Sequence, residues 1–133
     1  MSQINKLKIF NDPIYGFITI PNALIYDLVQ HPYFQRLRRI SQMGLSYLVY
    51  PGANHTRFHH ALGSMHLMQK AVEVLRFKEV NITPEEENAL YIAILLHDIG
   101  HGPFSHAMES SIVEDVHHEE ISLLLMNELN TEF

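Results

Sequence analysis

The sequence predicts a mainly α-helical domain that begins with a small β-ribbon, and three patterns carry that expectation. Two short apolar runs, residues 6–10 and 17–20, flank Asn11-Asp12-Pro13 and Gly16, which is the turn chemistry of a hairpin. From residue 58 to 77, apolar residues recur at helical spacing through Leu62, Met65, Leu67, Met68, Ala71, Val72 and Leu75. Thr83-Pro84-Glu85-Glu86 then offers an N-cap, a proline at the first helical position and a glutamate at the third.

The elements follow in order. Pro21 closes a ribbon over residues 1–21, and residues 22–133 form the helical portion. Asn22 caps a short helix through about Val29. Pro32 starts another helical stretch, in which Phe34, Leu37 and Ile40 share an apolar side while Arg36 and Arg39 point elsewhere; Gly44 ends it. Residues 45–50 are apolar and aromatic and read as extended, and Pro51-Gly52 turns the chain. The helix capped by Thr83 runs through Ala89, Leu90, Ile92, Ala93, Leu95 and Leu96 to Gly100. It is apolar over more than one face, which predicts a central core helix. Ser105 caps a short helix toward Ser111, and a last helix covers about 118–130.

A chain of 133 residues, 47% of them apolar, suits one core. No window has transmembrane length, and residues 1–20 lack the pattern of a signal peptide. The absence of cysteine excludes disulfides and thiolate metal sites, and it fits a cytoplasmic protein. Charge is uneven. Residues 1–78 hold all 9 Lys and Arg, whereas residues 79–133 hold acids and no Lys or Arg, for a net −6 over the chain. The N-terminal half therefore suits a polyphosphate, while the acidic balance opposes a long nucleic-acid surface.

The feature richest in chemistry is the adjacent pair His97-Asp98 at the end of the apolar run. His60 lies upstream, and His101, His106 and His118 lie downstream. A buried imidazole and carboxylate are costly unless used, and nitrogen with oxygen donors suits a divalent Mn, Fe, Ni, Zn or Mg ion. Such an ion lowers the pKa of a bound water or bridges phosphate oxygens. Gly100-His101-Gly102-Pro103-Phe104-Ser105-His106 reads as a constrained loop that brings His101 and His106 near the metal; a purely structural turn requires the same glycines. His31, His55 and His66 read as surface or hydrogen-bonded core residues.

These residues resemble a known family. Arg57-Phe58-His59-His60-Ala61-Leu62-Gly63, then Leu96-His97-Asp98-Ile99-Gly100-His101-Gly102-Pro103-Phe104-Ser105-His106, then His118-Glu119 are similar to the HD-domain proteins. Within that family the match is to the deoxynucleoside triphosphate triphosphohydrolases. It extends through Asn11-Asp12-Pro13-Ile14-Tyr15-Gly16, Phe34-Gln35-Arg36-Leu37-Arg38 and Pro51-Gly52. The resemblance implies an HD-domain helical core and a metal held by His60, His97 and Asp98. It implies His101, His106, His118 and Glu119 as catalytic-pocket residues, with His106 in proton transfer or on the α-phosphate and Glu119 orienting it. Arg57 would contact phosphate, Gln42 the deoxyribose 3′-hydroxyl, and Met43 the sugar or base. Lys8, Ile9, Asn11, Gln35 and Arg38 match part of a regulatory nucleotide site between subunits. A homo-oligomer, dimer or tetramer, is implied with it. Gln30 stands where the vertebrate branch has a guanine-reading Asp.

The implied substrate is a dNTP, cleaved to deoxynucleoside and inorganic triphosphate. The family's fourth metal ligand is a more distal Asp, and Asp115, just ahead of the match at His118, does not take that role. The helical core is thus expected to be incomplete, with residues 1–133 as the N-terminal part of a single HD domain. The alternatives are a short member completed by an oligomer, a binding module without turnover, or another HD phosphohydrolase acting on a nucleotide monophosphate, a cyclic nucleotide or ppGpp.

Overall fold

A computed structural model describes residues 8–111 and 117–133. The ribbon comprises β1 (Ile9–Asp12) and β2 (Gly16–Thr19), antiparallel, with Phe10 opposite Ile18 and Asp12 opposite Gly16. The strand continues through Asn11 and Asp12, which the sequence assigns to the turn. Asp12 ends it by accepting from the N–H groups of Ile14 and Tyr15, both at 2.9 Å, so the turn falls on Pro13–Tyr15 instead. Gly16 closes the turn at φ 75°, a conformation costly for a residue with a Cβ.

Helix α1 (Ala23–Gln30) is capped as expected, the Asn22 side chain accepting from the Ile25 N–H. The stretch after Pro32 departs from expectation. Helix α2 (Pro32–Gln35) gives way to a 3-10 turn, Arg36–Arg39, and Ile40 is already extended at φ −117°. Pairing across the chain ends the helix well before Gly44. Ile40 O accepts from Arg57 N at 2.8 Å, Ser41 bridges Thr56, and Gln42 N donates to His55 O. Residues 45–50, expected to be extended, contain the 3-10 turn Ser46–Leu48, and Leu48, Val49 and Tyr50 are exposed.

Helix α3 (Arg57–Phe77) starts on a capping box with a histidine at the third position, where Glu or Gln is the usual signal. The Thr56 hydroxyl accepts from His59 N, and His59 Nδ1 accepts from Thr56 N. Helix α4 (Pro84–Leu96) has the expected box of Thr83 and Glu86. It ends at Leu96 rather than Gly100, and turns carry the chain over residues 97–100. Tyr91, Leu95 and Leu96 are buried, but Ala93 is exposed and Leu90 is at the margin, so α4 is not enclosed on every side. Helix α5 (Ser105–Ser111) and helix α6 (His118–Glu132) complete the described elements; Asp115 lies outside the described residues.

Phe58, at the start of α3, ties the elements together. Its ring meets Phe34 at 5.4 Å and Phe10 at 6.0 Å, both edge-on, and the Arg38 guanidinium lies 3.9 Å above it. With α3 packed on α4, the core of Ile25, Val29, Leu37, Met65, Leu95 and Ile99 holds the N-terminus of α3 against the C-terminus of α4. His60 and His97-Asp98 sit at those two ends.

Candidate metal centre and adjoining cavity

Asp98 is the hub. Its Oδ2 lies 3.2 Å from His97 Nε2, 3.6 Å from His60 Nε2 and 3.8 Å from Arg57 Nη1, while Oδ1 lies 3.3 Å from His101 Nε2. The hydrogen bond from His97, opposed by burial, holds the Asp98 carboxyl well below the usual carboxylate range. The same contact raises His97, again against burial. Burial lowers His60, partly offset by Asp98.

The tautomers follow from the partners. Ile94 O can only accept, so His97 Nδ1, 2.6 Å away, carries a proton, and the hydrogen bond to Asp98 puts a second on Nε2, the proton that a bound metal would replace. A ring N–H on a backbone carbonyl is the usual way a metal-ligating imidazole is oriented. His101 is pushed down to about 4, chiefly by burial and then by Arg57, so it is neutral near pH 7. Ionised Asp98 only accepts, so His101 donates from Nε2 and its Nδ1 accepts from the Ser105 hydroxyl.

Two sets of three donors lie within 4.8 Å of one another among the described residues: His60, His97 and Asp98, and Asp98, His101 and His118. The first set fits a metal. Its Nε2–Oδ2 separations of 3.2 and 3.6 Å approach the ~3.0–3.4 Å between neighbouring donors when each bond is ~2.1 Å. The rings of His60 and His97 are inclined at 61°. In the second set, His101 and His118 are stacked at 3.9 Å with 19° between planes, so their in-plane lone pairs run side by side rather than converge. Of the two sets, His60, His97 and Asp98 is the one whose donor geometry could hold a metal ion.

Beside this centre, His106 stands edge-on to His101 at 5.1 Å and to His118 at 5.4 Å. His118 Nε2 is 3.3 Å from Glu119 Oε1, a carboxylate largely in solvent. A cavity of about 440 Å³ opens next to them, with Gln42, Met43, Arg57, Phe104 and His106 in its wall. Arg57 is buried at 4% exposure and spans both regions, donating to Gln42 Oε1 at 3.3 Å while approaching Asp98. The predicted metal, catalytic and substrate residues thus fall in one continuous region.

The predicted regulatory residues fall elsewhere. Gln35 and Arg38 meet directly, Arg38 Nε donating to Gln35 Oε1 at 2.8 Å. Lys8 lies over the Tyr26 ring at 5.4 Å, and Ile9 and Asn11 are exposed on β1. Phe58 links the two groups, contacting Phe10 on the ribbon and Arg38 on the 3-10 turn.

Three residues at the site are not singled out by the sequence for the contacts they make. Ser105 orients His101. Ser122, at 3% exposure on α6, accepts from Gly100 N at 2.9 Å. Arg36, expected to point away, donates from Nη1 to His101 O at 2.7 Å and from Nη2 to Ile99 O. A helix cap was the only visible signal for Ser105; the other two contacts join residues 22 or more positions apart.

A mainly helical domain with a histidine from one helix meeting a His-Asp pair at the end of another defines a class, and the comparison with known proteins agrees. Residues 57–132 match the HD domain, and this chain belongs to that family. The deoxynucleoside triphosphate triphosphohydrolase SAMHD1 homolog of Dictyostelium discoideum is 40% identical over 95% of this chain and 26% of its own length. The deoxynucleoside triphosphate triphosphohydrolase SAMHD1 of Danio rerio is 44% identical over 85% of this chain and 19% of its own. A crystal structure of a phosphohydrolase from Bacteroides thetaiotaomicron superposes with a TM-score of 0.92 at 57% identity, covering 96% of this chain and 32% of that one. The chain thus spans about a quarter of the Dictyostelium relative and a third of the solved structure.

Proposed function

We propose that the protein is a metal-dependent dNTP triphosphohydrolase, releasing deoxynucleoside and inorganic triphosphate. The observation that carries this reading is the buried Arg57, which joins the Asp98 centre to the cavity walled by Gln42, Met43 and His106. The relatives named above as triphosphohydrolases support it.

A divalent metal held by His60, His97 and Asp98 would polarise a phosphate oxygen and lower the pKa of a water. Arg57 offsets charge gathering on the phosphate oxygens, and its burial strengthens that interaction. The water oxygen bonds to the α-phosphorus, the bond from phosphorus to the 5′-oxygen breaks, and the 5′-oxygen takes a proton. His106 supplies that proton or contacts the α-phosphate, while His118 holds phosphate beside Glu119. Neutral His101 donates to Asp98 and keeps the carboxylate in place. Gln42 reads the 3′-hydroxyl, and Met43 packs on sugar or base. A regulatory nucleotide at Lys8, Ile9, Asn11, Gln35 and Arg38, and a homo-oligomer, complete the proposal.

The test is a substrate panel on the intact protein, metal-loaded or chelated: four dNTPs, nucleotide monophosphates, cyclic nucleotides and ppGpp. Metal-dependent release of triphosphate from dNTPs is expected. Turnover confined to any other member of the panel would replace this reading with that phosphohydrolase activity.

A further inference from the structure

The turn that follows α4 is held from outside by a side chain that the proposed chemistry does not use. Arg36, in the 3-10 turn Arg36–Arg39, reaches two carbonyls of that turn, Ile99 O and His101 O. Two N–H groups on one planar guanidinium fix both the spacing and the plane of the carbonyls they meet. A single ammonium does not. The charge also suits its place. Helix α4 carries Glu85, Glu86 and Glu87 in its first turn and no base in its last. Carbonyl oxygens at and beyond that end gather partial negative charge, and Arg36 brings the cation from another element.

Arg36 is half-buried, and that burial lowers its pKa. From the opposite side, the Ser122 hydroxyl accepts from Gly100 N at 2.9 Å. A Cβ at Gly100 would lie only 2.6 Å from that hydroxyl oxygen, so the turn is packed tightly against α6. The residue between the two gripped carbonyls is therefore clamped as well.

We propose that Arg36 is a positioning residue of the active site, clamping the Ile99–His101 turn so that His101 presents Nε2 to Asp98 and Nδ1 to Ser105. It acts through the main chain rather than on substrate. The inference rests on the proposed reading of Asp98 and His101 as parts of a hydrolytic centre. A purely structural tether would lower the folded fraction and leave turnover per folded molecule unchanged.

The test compares Arg36→Lys and Arg36→Met with wild type in the intact, metal-loaded protein, with kcat and KM normalised to folded, metal-containing molecules. A displaced catalytic loop predicts kcat lower by about 10- to 100-fold with KM within about twofold, and metal content retained. Lysine is expected to rescue no better than methionine, because it cannot span both carbonyls. Wild-type kcat in Arg36→Lys, or an effect confined to KM, would overturn the proposal. Imidazole NMR separates this inference from the dNTPase reading. Wild-type His101 is expected as one Nε2–H tautomer and Arg36→Lys as a mixture, with the His31 signal unchanged. An unaltered His101 signal in the variant overturns the clamp whichever substrate the enzyme takes.

Discussion

Gly100→Ala tests the packing around the candidate metal centre with one added methyl group. Gly100 has an ordinary negative φ, so backbone strain is not at issue. Space is. The new Cβ would sit 2.6 Å from Ser122 Oγ and closer still to two backbone atoms, His118 O and Ser122 N. Backbone cannot rotate away as a flexible side chain can, so the first turns of α6 must move by roughly 1 Å, an overpacking that costs about 1–3 kcal/mol. The same movement breaks the hydrogen bond from Gly100 N to Ser122 Oγ, worth about 1 kcal/mol. Together they predict a loss of about 2–4 kcal/mol, read by urea unfolding of the metal-free protein with an unchanged m-value. Because His118 opens α6 and stacks on His101 at 3.9 Å, the displacement also separates the two rings. Turnover should fall in the molecules that remain folded. A variant within about 0.5 kcal/mol of wild type would refute the account of how α6 seats on the turn.

Other predictions follow from the site and the caps. His97→Ala and Asp98→Asn should each lose most of the bound metal, measured by elemental analysis; normal metal content in either would remove that residue from the ligand set. His106→Ala should keep the metal and lower kcat by about 10²–10⁴-fold, and wild-type turnover would exclude it from proton transfer. Buried His101 is held at about 4 against an ordinary value of 6.5, so the unfolded chain binds the proton first. Its contribution is intact above pH 6.5 and is lost as pH falls toward 4, by at most about 3 kcal/mol. Urea midpoints of wild type should therefore drop more steeply over that window than those of His101→Gln; parallel profiles would contradict it. Thr83→Ala removes the capping box of α4 and should cost about 1 kcal/mol, seen as a lower thermal midpoint, with no change counting against the cap.

The helices were legible where local chemistry decides them. Asn22 and the Thr83–Glu86 box mark their starts, and the period of apolar residues marks the body of α3. Residues 32–50 were not, because long-range partners decide them. Ile40, Ser41 and Gln42 leave the helix to pair with residues 55–57, a contact invisible to local propensity. The apolar side chains of residues 45–50 favour a strand locally, and the chain makes a 3-10 turn there instead. At the site, His60, His97 and Asp98 stand out because imidazole beside carboxylate is rare without a use, and the fold brings their donor atoms together. Nothing in the sequence separates Arg36, which grips the site from the main-chain side, from Arg39, which is exposed. Ser122 likewise reads as an ordinary polar position until α6 is laid against Gly100.

The measurement that tests the central claim most directly is product analysis in ¹⁸O-labelled water, with the intact, metal-loaded protein and a dNTP. Attack at the α-phosphorus predicts inorganic triphosphate carrying one solvent oxygen and an unlabelled deoxynucleoside. Pyrophosphate with a nucleoside monophosphate, or metal-bound protein that releases no triphosphate, would contradict the account.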